Sequence, residues 1–195
     1  MMPPTIRLIS FFQTLSTFLI AKYVQAHGKV TMILPFQLRS DERYLFISNH
    51  QSQLDAFAVF SCFTYRQMRT VAPTRFMTAS GIYYSYLLPF LVLCGCYPTK
   101  KNRHPAYDPV AQSIDYLRHG QNVYIFPEGR RTLQSESSPR SGVKRIYDGA
   151  QTPLIPILIH LDWMVEGKRR NLRVVFKKGT TVESPEALMQ EIYRL

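Results

Sequence analysis

Cysteine and acidic residues are scarce in this chain, and their scarcity excludes several classes of protein. The three cysteines among 195 residues form no even set of partners, so the sequence is not that of a disulfide scaffold. Cys94 and Cys96 lack the second Cys or His cluster that would complete a zinc site, and unpaired thiols favour a reducing compartment. Only 13 Asp and Glu oppose 24 Lys and Arg, a formal net charge of +11. This excess predicts an anionic partner: nucleic acid, an anionic membrane surface or a phosphorylated substrate.

The N-terminal segment contains few charged residues, but these are spaced so that its longest uncharged run is short. Between Arg7 and Lys22 lie 14 uncharged residues, fewer than the roughly 20 that a membrane-spanning helix needs. Their apolar members recur at helical spacing: Leu8, Phe11, Phe12, Leu15, Phe18 and Leu19. The pattern predicts a membrane-association helix over 1–27 that lies in the interface, so that the protein is peripheral or monotopic and faces the cytoplasm. A helix packed on the protein's own core and a signal peptide cleaved after residues 24–26 are the alternatives.

The remaining residues, 28–195, alternate strand and helix signals with no linker long enough to divide them. The fold class predicted is α/β, a single domain with a mostly parallel central sheet flanked by helices. The predicted strands are 44–48, 68–71, 91–96, 123–126, 154–161 and 172–176. The predicted helices are 54–63, 76–88, 109–119 and a last helix that opens at 184–186. Residues 135–141 are predicted to be a surface loop.

The first candidate site follows the first strand, because ligand sites in such folds lie where strands end. Residues 49–55 are Asn-His-Gln-Ser-Gln-Leu-Asp. Across a strand-to-helix turn, His50 and Asp55 can form an imidazole–carboxylate pair, whose free ring nitrogen takes a proton from an attacking hydroxyl. The alternative is a capping Asp55 beside a hydrogen-bonded loop histidine.

The second candidate site follows the strand at 123–126. Residues 126–132 are Phe-Pro-Glu-Gly-Arg-Arg-Thr. Gly129 allows close backbone approach, and Arg130 and Arg131 offer forked donors that match phosphate oxygens. Glu128 can hold an Arg in position or accept a substrate hydroxyl. A turn with a surface ion pair is the alternative for this stretch taken alone.

Together, these motifs resemble those of the glycerolipid acyltransferases, which acylate glycerol-3-phosphate or lysophospholipids. The family's first motif is Asn-His, four residues, then Asp, and its third is Phe-Pro-Glu-Gly-Thr-Arg-Ser. Its apolar fourth motif is similar to residues 152–157, so the resemblance covers roughly residues 40 to 160 in the family's order. At the second motif, where the family has an Arg, this chain has Lys100 and Lys101; at 140–142 Arg-Ser-Gly stands for the family's Phe-Lys-x-Gly.

The resemblance implies direct acyl transfer from acyl-CoA or acyl carrier protein to the hydroxyl of lysophosphatidate or a related lysolipid, with no cofactor and no metal. By analogy, His50 is the base and Asp55 orients it. The residues implied in substrate binding are Asn49, Lys100, Lys101, Glu128, Gly129, Arg130 and Arg131.

Several alternatives stay open at this point. Glycerol-3-phosphate or another lysolipid is the alternative acceptor. A nucleophilic serine is a second possibility, since Ser48 and Ser52 flank His50, although no Gly-x-Ser-x-Gly elbow is present. The non-enzyme alternative is a basic membrane- or nucleic-acid-binding protein. Membrane lipids, the lysophospholipid and the acyl donor are the predicted partners; nucleic acid is not, because the aromatic residues cluster in apolar runs rather than between Lys and Arg.

Overall fold

A seven-stranded sheet carries the buried apolar runs of the chain, with helices on both of its faces. The computed structural model describes residues 3–52, 55–101, 104, 106–131, 139–150, 154–166, 169–179 and 181–195. The prediction of an α/β fold with a mostly parallel sheet is confirmed, because five of the pairings are parallel and only that of the sixth and seventh strands is antiparallel.

Helices separate most of the strands along the chain. The strands are β1 Val30–Ile33, β2 Arg43–Ser48, β3 Thr74–Thr78, β4 Cys96–Pro98, β5 Asn122–Ile125, β6 Leu154–Glu166 and β7 Arg169–Lys178. The helices are α1 Pro4–His27, α2 Asp55–Ser61, α3 Tyr65–Val71, α4 Ser80–Tyr83, α5 Leu88–Leu93, α6 Pro109–Arg118, α7 Gly142–Ala150 and α8 Pro185–Tyr193. The strand order in the sheet is β1-β7-β6-β2-β5-β3-β4.

Strand β2 lies at the centre and contributes to both faces of the sheet. Tyr44 and Phe46 belong to one hydrophobic core, with residues of α2 and α3. Leu45 and Ile47 point the other way, as the period of two in a strand requires, and pack with residues of α6, α7 and α8. Burial on both faces explains why the strand is apolar throughout instead of alternating.

Three predicted elements are wrong. Residues 68–71 belong to helix α3, because Thr64 and Gln67 form a capping box in which each side chain bonds the other's backbone N–H. Part of the predicted helix 76–88 is strand β3, which is paired on both sides, and only α4 and the first residue of α5 are helical there. Half of the predicted strand, residues 91–93, is helix α5, which begins beside Pro89 and leaves only 96–98 for β4.

Helix α1 presents its polar side to the protein and its apolar side outward. It packs on α2, α3 and α5, and Gln13, Thr14 and Thr17 are buried. Six large apolar side chains stay exposed: Leu8, Phe11, Leu15, Phe18, Leu19 and Tyr23. This orientation is the reverse of a helix that covers a soluble core, so the interpretation of α1 as an ordinary core helix does not account for it.

Gln13 fixes this orientation through its side-chain amide. The amide nitrogen donates to the carbonyl of Thr74 and, at 2.7 Å, to that of Cys94, while the amide oxygen accepts from the Thr74 N–H at 3.0 Å. The contact needs Gly95, whose φ is +82° and whose missing Cβ would stand 2.5 Å from the Gln13 amide nitrogen. The polar face of α1 is thus bonded to backbone groups of strand β3 and of the residue that ends α5.

The helix is longer than the uncharged run of the sequence. It continues past Arg7 and Lys22, and by length and composition residues 4–26 are apolar enough to cross a membrane. Counting only the uncharged residues between Arg7 and Lys22 therefore underestimates the length of the apolar helix.

Candidate active site

The two candidate motifs lie side by side at one edge of the sheet. β2 and β5 are parallel neighbours, with Leu45 opposite Val123 and Ile47 opposite Ile125. Their carboxyl ends therefore release residues 49–55 and 126–131 at the same edge, where crevices form in open α/β sheets. Motifs separated by about 70 residues of sequence meet here.

His50 and Asp55 form the predicted pair. The Nδ1 atom of His50 lies 2.9 Å from Oδ2 of Asp55, and the carboxylate is completely buried while the imidazole is 19% exposed. Because a carboxylate accepts, Nδ1 carries the proton, and Nε2 is left with the lone pair. The arrangement can therefore take a proton from a group that approaches the exposed part of the ring.

Asp55 also shapes the loop that presents His50. The same Oδ2 accepts the backbone N–H groups of Gln51 at 2.6 Å and Ser52 at 2.7 Å. Asp55 thus has both of the roles considered for it: it caps the loop, and it is the partner of the His50 ring. Ser48 is fully buried and its hydroxyl donates to the Asn49 carbonyl at 2.5 Å, which removes it as a nucleophile at this surface.

Phe126 holds the imidazole from the neighbouring strand end. Its ring is stacked on that of His50, with centroids 4.0 Å apart and planes inclined by 23°. The sequence predicts that Phe126 ends the strand and opens the motif at 126–132; β5 stops one residue earlier, at Ile125. The first residue of the Phe-Pro-Glu-Gly motif therefore contributes a wall of the site.

Glu128 joins the two motifs. It is 3% exposed, and its Oε2 accepts the backbone N–H of His50 at 2.8 Å. The hydroxyl of Tyr193, on helix α8, donates to Oε1. Glu128 therefore supports the His50 backbone in this structure, and its contact with the acceptor stays a prediction.

Asn49 is likewise a support. Its side chain is fully buried, Nδ2 donates to the Leu161 carbonyl at 2.8 Å, and Oδ1 accepts the Leu161 N–H at 2.8 Å. This amide continues the pairing of β2 with β6 by one residue. The polar atoms of Asn49 thus bond the strand backbone in this structure, and its contact with substrate stays a prediction.

The turn after Glu128 gathers cations. Gly129 has a φ of +63°, and the side chain of Arg140 fills the place of its missing Cβ, whose distance to Arg140 Nε would be 2.6 Å. The Arg140 N–H also donates to the Pro127 carbonyl at 2.8 Å. Arg130 and Arg131 follow directly and are exposed. Arg140, which the sequence showed only as a departure from the family pattern, thus joins the two predicted arginines.

Lys100 and Lys101 stand farther along the same edge. They follow β4, which is separated from β5 by β3. The Lys100 N–H donates to Ser80 Oγ at 2.8 Å, and Lys101 Nζ lies 4.5 Å from the ring centroid of Tyr107. Within the described part of the chain, no recorded contact joins either lysine to His50.

Some motif positions are not described. Residues 53, 54, 132, 152 and 153, and 135–138 of the predicted loop, lie outside the described residues. Among those that are described, no group of three or more His, Cys, Asp or Glu side chains is placed to hold a metal ion.

A buried Asp, a partly exposed His and a cationic turn at adjacent parallel strand ends define an acid–base site of the kind that transfers a group to a hydroxyl. The family model described as Acyltransferase matches residues 29–160, and the chain belongs to this family. The match includes both motifs and ends within β6.

Individual relatives agree with the family. The chain is 26% identical over 159 residues to a probable 1-acyl-sn-glycerol-3-phosphate acyltransferase of Mycoplasma pneumoniae, covering 80% of this chain and 57% of that protein. It is 27% identical over 123 residues to the 1-acyl-sn-glycerol-3-phosphate acyltransferase of Saccharomyces cerevisiae, covering 60% of this chain and 38% of that one. The chain thus spans about half the length of these curated relatives, or less.

A solved structure shares the fold. The crystal structure of the 1-acyl-sn-glycerophosphate (LPA) acyltransferase PlsC from Thermotoga maritima superposes with a TM-score of 0.59 at 15% identity, over 97% of this chain and 75% of that chain. At this identity the likeness supports the fold alone.

Proposed function

We propose that this chain is an O-acyltransferase that moves a fatty acyl group from acyl-CoA or acyl carrier protein to the free hydroxyl of lysophosphatidate. The observation that carries the proposal is the His50–Asp55 pair, 2.9 Å from Nδ1 to Oδ2, with the ring partly exposed beside a cationic turn. The curated relatives bear the name of this activity.

The reaction follows from the protonation of the pair. Nε2 of His50 accepts the proton of the acceptor hydroxyl as its oxygen attacks the thioester carbonyl carbon. The C–O bond forms, the C–S bond breaks, and the thiol leaves with a proton. The buried Asp55 carboxylate stabilises the imidazolium that forms between these events. Holding acceptor and donor in line contributes further to the rate.

The experiment that tests this function is a thiol-release assay on the full chain in mild detergent. Acyl-CoA and acyl carrier protein are each supplied with lysophosphatidate, lysophosphatidylcholine or glycerol-3-phosphate, with the His50→Ala variant alongside. We expect release that depends on lysophosphatidate and is lost in the variant. Release with no acceptor, or release that the variant retains, would contradict the proposal.

The cationic turn is proposed to hold the phosphate of the acceptor. Because a charge-assisted hydrogen bond is worth about 1.5–3 kcal/mol, Arg131→Ala is expected to raise the KM for lysophosphatidate by about 10- to 100-fold and to leave the donor KM nearly unchanged. Steady-state kinetics with each substrate varied measure this. Arg66→Ala, at an exposed position on α3, is the control. A rise in the donor KM instead would mean that this turn binds the thioester substrate.

The outward face of α1 is proposed to rest on the membrane, with the domain on the cytoplasmic side. Exposed aromatic and aliphatic side chains seek the acyl boundary, and Lys22, which lies 5.6 Å from the Phe18 ring centroid, is placed for lipid phosphates. The net charge of +11 adds attraction to an anionic leaflet.

Replacement of this apolar face is expected to release the protein from vesicles. Phe11→Ser, Phe18→Ser and Leu19→Ser remove side chains that are 61%, 52% and 59% exposed. Each is expected to weaken partitioning by roughly tenfold, since burial of such a side chain is worth about 1.5–3 kcal/mol. Sedimentation with anionic phospholipid vesicles measures it. Met164→Ser, at a residue 44% exposed on β6, is the control. Unchanged sedimentation of the triple variant would mean that another surface carries the binding.

A further inference from the structure

Two hydrogen bonds reach the site carboxylates from residues beyond the matched family region. The match ends at residue 160, yet Trp163 on β6 and Tyr193 on α8 contact Asp55 and Glu128. These carboxylates are the groups that hold the ring and the backbone of His50.

Trp163 bonds the oxygen of Asp55 that does not face His50. The indole Nε1 lies 3.0 Å from Oδ1, and the backbone N–H of Trp163 donates to Gln51 Oε1 at 3.3 Å. An indole N–H can only donate, so Oδ1 is the acceptor, and the bond fixes the plane of the carboxylate. With Oδ1 held from β6, Oδ2 is held toward the His50 ring.

Tyr193 bonds Glu128 in a similar way. Its hydroxyl donates to Oε1, while Oε2 accepts the His50 N–H. The pKa of Tyr193 is raised well above its usual value, mainly by burial and to a smaller extent by the hydrogen bond to Glu128. The phenol therefore keeps its proton at neutral pH and remains a donor.

We propose that Trp163 and Tyr193 are positioning residues for acyl transfer: Trp163 orients Asp55 against the imidazole, and Tyr193 orients Glu128 against the backbone of the same histidine. The proposal rests on the proposed function, because the reaction is what these residues serve. The C-terminal segment would thus complete a site whose recognised motifs all lie before it.

For Trp163 the test uses the fact that the chain has a single tryptophan. Biosynthetic replacement of tryptophan by 3-benzothienylalanine then changes one site, and it exchanges the N–H for sulfur while keeping the shape of the ring. We expect kcat to fall by about 10- to 100-fold, as for loss of a hydrogen bond to a charged group, with both KM values nearly unchanged. Full kcat in the analogue protein together with loss in Trp163→Phe would assign packing, not orientation, to this residue.

A second measurement does not depend on turnover. The single indole gives one N–H cross-peak in a ¹H–¹⁵N spectrum, and its hydrogen bond to Asp55 predicts a shift of that peak in Asp55→Asn. An unchanged peak would overturn the contact itself. Inactive wild-type protein with a shifted peak would contradict the proposed function and leave the contact standing.

Tyr193→Phe has a matched control in Tyr44→Phe. The Tyr44 hydroxyl also donates to a glutamate, Glu42 Oε2 at 2.5 Å, but near the opposite end of β2. We expect Tyr193→Phe to lower kcat by about 10-fold or more without a change in KM, and Tyr44→Phe to keep wild-type kinetics. Equal losses in both variants, tracking the melting temperature, would reduce Tyr193 to a stabilising residue.

Discussion

His50→Ala is expected to lower kcat by about 10² to 10⁴-fold, the usual contribution of a positioned general base. The imidazole is held between Phe126 on one ring face and the buried Asp55 carboxylate, and its Nε2 is the atom proposed to accept the hydroxyl proton. The KM values should change little, because the ring acts on the hydroxyl proton in the transition state. The thiol-release assay at saturating substrates measures the loss.

A second His–Asp pair in the same chain provides the control. His119 Nδ1 lies 3.2 Å from Asp115 Oδ1 on α6, where both side chains are more than half exposed. His119→Ala is expected to keep wild-type turnover. If His50→Ala retained a large part of the activity, another group would have to serve as the base and the mechanism would be wrong.

Asp55→Asn is expected to reduce kcat by a similar factor of about 10² to 10⁴, as replacement of the buried Asp does in a Ser-His-Asp triad. The carboxylate accepts from four donors: the His50 ring, two backbone N–H groups and the indole of Trp163. An amide offers one oxygen and two N–H donors, so it cannot accept from all of them. Where its N–H₂ faces His50, the ring must turn to the tautomer with a protonated Nε2, which is no longer a base.

The same substitution is expected to destabilise the loop, since each buried donor left without an acceptor costs about 1–3 kcal/mol. Thermal unfolding measures this, and Asp115→Asn on α6 is the matched variant. The double variant His50→Ala with Asp55→Asn should be hardly slower than His50→Ala alone, because the two residues act as a unit. Normal kcat in a variant with a lowered melting temperature would restrict Asp55 to building the loop.

The chemistry of the site is predictable from sequence to the extent that it is local. His50 and Asp55 stand five positions apart across one turn, so their contact needs no knowledge of the sheet. The helix predicted at 109–119 also depends on local signals only, because Asp108 caps it and Pro109 is its first residue. The structure has this helix at Pro109–Arg118.

What the sequence hides are contacts between distant elements. Glu128 and Asn49 have side chains that suit a ligand, and only the strand order β6-β2-β5 turns them toward backbone groups of neighbouring segments. Trp163 and Tyr193 carry no motif, because an indole or phenol donor is recognisable only once its acceptor is in place. The capping box at 64–67, by contrast, is a visible signal for α3 that the predicted strand at 68–71 does not take into account.

The attachment of α1 through Gln13 has a consequence for how such an enzyme meets its substrate. Because α1 is bonded to the backbone at Thr74 and Cys94, its orientation relative to the sheet is fixed, unlike that of a helix on a flexible linker. Under the proposed membrane contact, the depth and orientation of α1 in the membrane therefore determine the depth and orientation of His50. Lysolipid hydroxyls would then come within reach at one level of the leaflet only, and the geometry of the bilayer itself would share in choosing the acceptor.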